Sequence, residues 1–156
     1  MHLEWYKERV ERWVKEFLED VGEFPEPIVE VRRSKNIEGT RGRYNPQKKK
    51  IKVTIGENNG DLTDLIDLEL TTIHEASHHI FKVILGEEFN FPTLYGLRMF
   101  NEGFAELMVY QYALRKGEEW IKRTIKRKKK KDKRNESKVL SYVDLSLPWS
   151  PEPYSF

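Results

Sequence analysis

The 156-residue sequence contains no cysteine. Disulfides, thiolate metal sites and cysteine nucleophiles are therefore excluded, and a reducing compartment, the cytoplasm, is the expected setting. Long apolar runs are also missing: no stretch approaches the ~20 residues of a membrane helix. The opening Met1-His2-Leu3-Glu4-Trp5-Tyr6-Lys7-Glu8 lacks the apolar core of a secretory signal. No membrane association is expected. Proline is scarce, with 7 residues, and those at 25, 27, 46 and 92 fall between the periodic segments. Such a chain is long enough for one domain with a modest core.

Charge of either sign is abundant and unevenly spread. Residues 122–134 carry ten Lys or Arg and one Asp, a net of +9 within a chain of net +2. The remainder is therefore acidic, at −7. A lysine tract of this kind would hold phosphate weakly and with strong salt dependence. Without interleaved aromatics to stack bases, a solvated helix end is the preferred reading, and a nucleic-acid-associated protein is the rival.

Apolar periodicity supplies the elements. Leu3, Tyr6, Val10, Trp13, Val14, Phe17, Leu18 and Val21 recur at helical spacing, which predicts a core-packing helix over 2–21 ended by Gly22 and Pro25-Glu26-Pro27. Ile28–Arg33 reads as a strand, Gly39–Gly42 as a loop, and 41–44 with 49–55 as a hairpin turning at Asn45–Lys48. Ile51, Val53 and Ile55 alternate with Lys50, Lys52 and Thr54, so one face of that strand should be buried. A helix follows with Asp61 as its N-cap, Asp64 in its first turn and Gly86 as its terminator. On it Ile66, Leu70, Ile73, Ser77, Ile80, Phe81 and Ile84 form one apolar stripe. A second long helix is expected from 94 to 116 with Thr93 as N-cap, and a third from Glu118 into the lysine tract. The fold class is α+β: a sheet of about three strands, partly antiparallel, on a site-bearing helix and a second long helix, with helices at either end. Residues 1–138 form one domain, and 139–156 a Pro-rich aromatic tail.

The chemistry is concentrated at His74-Glu75-Ala76-Ser77-His78. Residues four apart share one helix face, so both imidazoles can reach one ion. Glu75, roughly 100° round, can reach a water on that ion. His79 falls on another face and is excluded. Two histidines and a carboxylate base are the zinc-peptidase arrangement, and catalytic zinc takes three protein ligands. The next helix offers Asn101-Glu102-Gly103-Phe104-Ala105-Glu106. Glu102 is the preferred third ligand, with Glu106 and Asn101 supporting the imidazoles; Glu106 on the metal is the open alternative. Gly103 and Ala105 are expected to permit close helix approach. Tyr95 is the candidate oxyanion donor.

His74-Glu75-Ala76-Ser77-His78 followed by Asn101-Glu102-Gly103-Phe104-Ala105 resembles the gluzincin metallopeptidases, and the second motif is similar to that of their aminopeptidase branch. The small size resembles the minigluzincins. The resemblance spans about 28–116. It implies a zincin-like fold with a small sheet above the metal helix and the glutamate helix below. His74, His78 and Glu102 would be zinc ligands and Glu75 the general base and acid in peptide hydrolysis. Glu106 stands where many gluzincins carry an aspartate supporting a ligand histidine. The substrate would be a peptide or unfolded protein, bound by strand addition to 41–44 or 50–55.

The tail carries Tyr142, Leu145, Leu147, Trp149, Tyr154 and Phe156 among three prolines, too apolar for a solvated segment. It is expected to occupy its own cleft or a neighbour's, giving latency and self-association, or else to cap the core. An inactive metal-binding scaffold is the remaining alternative to an enzyme.

Overall fold

A computed structural model describes residues 3–57, 64–86 and 95–142, except for the side chains of 95–98 and 134–142. In chain order the elements are α1 (Leu3–Val21), β1 (Ile28–Ser34), β2 (Thr40–Asn45), β3 (Lys50–Gly56), α2 (Leu65–Leu85), α3 (Tyr95–Lys116) and α4 (Glu118–Tyr142). The fold is α+β, with four helices and one three-stranded mixed sheet. The chain divides into two compact units, residues 1–124 and 125–156. No helix among the described residues is long and apolar enough to cross a membrane.

In the sheet the order is β1-β3-β2. β1 runs parallel to β3, with Val31 opposite Val53, and β2 runs antiparallel to it, with Gly42 opposite Val53. The hairpin turn is set by Asn45, whose Oδ1 accepts from the amides of Gln47 and Lys48 at 3.0 and 3.1 Å. Two expectations change here. Thr40–Gly42 are strand, not loop. β3, at 50–56, is the central strand with both edges paired, so of the hairpin strands only β2 keeps an edge for an incoming peptide.

α1 buries Tyr6, Val10, Trp13, Val14, Phe17 and Leu18, the stripe expected from its spacing. These meet Ile51, Val53 and Ile55 of β3 and Leu68, Leu70, Ile73 and Ile80 of α2 in one core. Each large aliphatic side chain taken fully out of water contributes about 1.5–3 kcal/mol. α2 is the element the rest surrounds. From Leu68 to Ile80 every residue except His74 is buried, so a single apolar stripe describes it too narrowly. Its interior hydroxyls are satisfied within the helix: Thr72 Oγ1 donates to Leu68 O at 2.8 Å and Ser77 Oγ to Ile73 O at 2.7 Å. Ile84, expected in the stripe, is exposed because it lies in the last turn, near the helix end.

The ends of α2 are marked in the sequence, with one correction. The N-cap is Asp64, extended at φ −61° and ψ 115°, whose Oδ1 accepts from Ile66 N at 2.9 Å. Asp61, the expected cap, lies outside the described residues, as does Thr93. Arg123 pairs with Asp64 and with Asp67 at 3.1 Å. One member of the basic segment is thus tied to the start of α2 and is not a solvated charge. Gly86, at φ 77°, ends α2, and its amide donates to Lys82 O.

α3 packs against α2 in antiparallel sense. Glu69, early in α2, receives the Tyr112 hydroxyl and, at 3.4 Å, Lys116 Nζ from late in α3. His78, late in α2, meets Asn101 and Glu102 from early in α3. Phe81 and Phe104 stack at 5.5 Å beside them. Burial, followed by the Glu69 hydrogen bond, raises the Tyr112 phenol well above its ordinary pKa. Gly117, at φ 137°, separates α3 from α4.

Candidate metal centre

Three side chains converge where α2 and α3 face each other. His74 Nε2 and His78 Nε2 are 3.1 Å apart. The Glu102 carboxylate lies 3.2 Å from His78 Nε2 and 3.7 Å from His74 Nε2. Donor atoms on a tetrahedral ion with bonds of ~2.0–2.2 Å are separated by roughly 3.3–3.6 Å. The observed spacings bracket that range, so the three residues form a group that could hold a metal ion.

The donor chemistry agrees. His78 Nδ1 is 2.7 Å from Asn101 Oδ1. A carbonyl oxygen can only accept, so Nδ1 carries the proton and Nε2 is the nitrogen that faces the group, donating to Glu102 when the ring is protonated and offering a lone pair when it is neutral. Burial by itself would lower the His78 pKa. Its hydrogen bond to Glu102, the charge of Glu75 and the bond to Asn101 together outweigh burial and raise it.

Glu75 is buried next to the pair, beneath the edge strand. A methyl group on Gly42 of β2 would lie 2.7 Å from Glu75 Cγ and 2.8 Å from Thr71 Cγ2. Only glycine lets the backbone of β2 come down onto this carboxylate side chain. The approach is anchored one turn further along α2 by His79. Its Nε2 donates to Pro25 O at 2.7 Å, which leaves Nδ1 to accept from the Tyr44 hydroxyl at 2.8 Å. Burial lowers the His79 pKa and keeps the ring neutral. Both nitrogens are thus engaged away from the metal group, as the angular position of His79 requires.

His74, His78 and Glu102 are thus brought together, Glu75 lies beside them, and Asn101 bonds the His78 imidazole. Glu106 is one helical turn beyond Glu102 and half-buried; the three-residue group contains Glu102 and not Glu106. Tyr95 opens α3, and its side chain lies outside the described residues. Gly103 does not mediate helix approach. It is exposed, with no atom within 4 Å of where its Cβ would stand, while Ala105 is fully buried. Two contributors escaped the sequence reading. Gly42 sits in a strand pattern, a place where glycine marks close backbone approach, and Tyr44 shares that strand. No protein family, curated protein or solved structure significantly matches this chain.

Proposed function

We propose that this chain is a zinc-dependent metallopeptidase of the gluzincin kind, with a compact zincin-like fold and a peptide or unfolded protein as substrate. The observation that carries the reading is the convergence of His74, His78 and Glu102 at tetrahedral spacing beside the buried Glu75. Two imidazoles and one carboxylate are a donor set suited to catalytic zinc, with a position left open. Bound zinc supplies Lewis acidity, which brings the pKa of water toward ~7 and polarises a carbonyl.

The rest is done by the chain's own groups. Asn101 fixes the tautomer of His78. Glu75, held in place by the contact with Gly42, takes the proton of the attacking water and returns it to the leaving amine. β2 lies at the sheet edge directly over Glu75, so an extended peptide added to that edge would have its backbone beside the base.

Glu75→Ala should keep its metal and lose hydrolysis of a fluorescently labelled unfolded protein by ~10²–10⁴-fold. Hydrolysis at the parent rate, or loss of the metal, would contradict the assignment. Metal binding with no hydrolysis, in the full chain and after deletion of 139–156, would favour the inactive scaffold.

A further inference from the structure

α3 is apolar on two sides. Its inner side, with Ala105, Val109 and Ala113, belongs to the core. Its outer side carries Met99, Phe100, Leu107, Tyr110 and Leu114, exposed at 62, 73, 55, 42 and 55%. At roughly 100° per residue these five and Gly103 fall within one sector about 100° wide. Positions 100, 103, 107, 110 and 114 alternate steps of three and four, the spacing of a helix-pairing seam. The outer face of α1 is built differently: it turns Glu4, Glu8, Glu11, Arg12 and Lys15 outward.

We propose that the outer face of α3 is a self-association surface that pairs with the same face of a second copy, antiparallel, about a two-fold axis at Leu107. Three observations select this occupant. The first is area. At roughly 200 Å² for a large side chain in the open, the five leave on the order of 550 Å² of apolar surface. That is at the upper end of the largest patches on ordinary monomers and supplies most of the ~800 Å² per partner of a stable interface. The second is shape. Antiparallel pairing about Leu107 sets Phe100 against Leu114 and brings Tyr110 to within one residue of facing Gly103, where open space replaces a side chain. Parallel pairing would set Gly103 against Gly103 and leave a void. The third is symmetry, since a patch complementary to itself about its own midpoint gives a closed dimer. Glu102 lies roughly 120° round the helix from the seam, so pairing leaves the metal group uncovered. The proposal concerns residues of α3 alone and does not depend on the proposed hydrolysis.

Sedimentation equilibrium of the full-length chain over a concentration series tests the proposal. A monomer–dimer equilibrium is expected, and Leu107→Glu, which sets two like charges on the axis, should weaken it at least ~100-fold. Leu114→Glu should weaken it as well, and because both residues are exposed each variant should keep the parent circular dichroism. The absence of native cysteine allows a second readout. Leu107→Cys should form an oxidised cross-linked dimer, Leu114→Cys alone should not, and the Phe100→Cys/Leu114→Cys pair should. A monomer at every concentration, parent-strength dimers of both glutamate variants, or cross-linking of Leu114→Cys as fast as Leu107→Cys would overturn the proposal.

Discussion

Through its middle α2 is buried on almost every side, whereas α3 is buried on one side and bare on the other. The candidate centre draws on both helices. His78 comes from the first and is buried, with its ring held by Asn101. Glu102 comes from the second, and its side chain is 51% exposed. Of the three side chains in the group, His78 is fixed by packing, His74 is half-buried, and Glu102 can adjust at the solvent edge. The contrast also separates stability from binding: changes in the buried middle of α2 should damage both, and a change at Glu102, at the exposed edge of α3, should damage metal binding alone.

The largest difference should appear in the core. Ile73→Ala removes a fully buried side chain from α2 and should cost about 2–5 kcal/mol in denaturant unfolding. Leu114→Ala on the outer face of α3, measured below the concentration of any association, should stay within about 0.5 kcal/mol. Equal costs would break the comparison.

A smaller effect should test how the two helices cooperate at the site. Asn101→Ala removes the acceptor on His78 Nδ1 while leaving every ligand, and should weaken zinc affinity ~10–100-fold in a competition titration, with little change in unfolding midpoint. An unchanged affinity would mean that α2 orients the ring by packing alone.

The smallest effect concerns the joint between the helices, and it depends on pH. The folded-state pKa of Tyr112 is raised, so the unfolded chain releases its phenolic proton at a pH of about 10 while the folded chain keeps it. The stabilisation is present below that pH and is lost as pH rises above it, at up to about 1.4 kcal/mol per pH unit from this group. Tyr112→Phe should be less stable than the parent near neutrality and should lose this part of the alkaline slope, so the two curves converge above a pH of about 10. A constant gap across that range would show that Tyr112 ionises as readily folded as unfolded.

Much of this architecture is legible in the residues. The periodicity of Leu3 to Val21 and the alternation of Ile51, Val53 and Ile55 marked the faces that are buried. The four-residue spacing of His74 and His78, and the choice of Glu102 over Glu106 for the group, agree with the observed convergence. What local pattern could not supply was pairing. Nothing in residues 50–55 says that β3 is central, because strand order is decided by which neighbours the chain brings to either edge. Asp61 and Asp64 are equivalent as local N-cap signals, so the sequence alone does not single out Asp64. Gly103 and Ala105 are alike in small size, yet two residues along a helix are roughly 200° apart, so they face opposite ways. The descent of β2 onto Glu75 through Gly42 joins residues far apart in sequence, and only the assembled sheet shows it.

The central claim is that α2 and α3 together hold one zinc ion. Metal analysis of protein purified without added metal, then repeated after dialysis against zinc, tests it most directly. The account predicts one zinc per chain in the parent and almost none in the His74→Ala/His78→Ala double variant. Near-stoichiometric zinc retained by that double variant, or a parent that takes up none after dialysis, would contradict it.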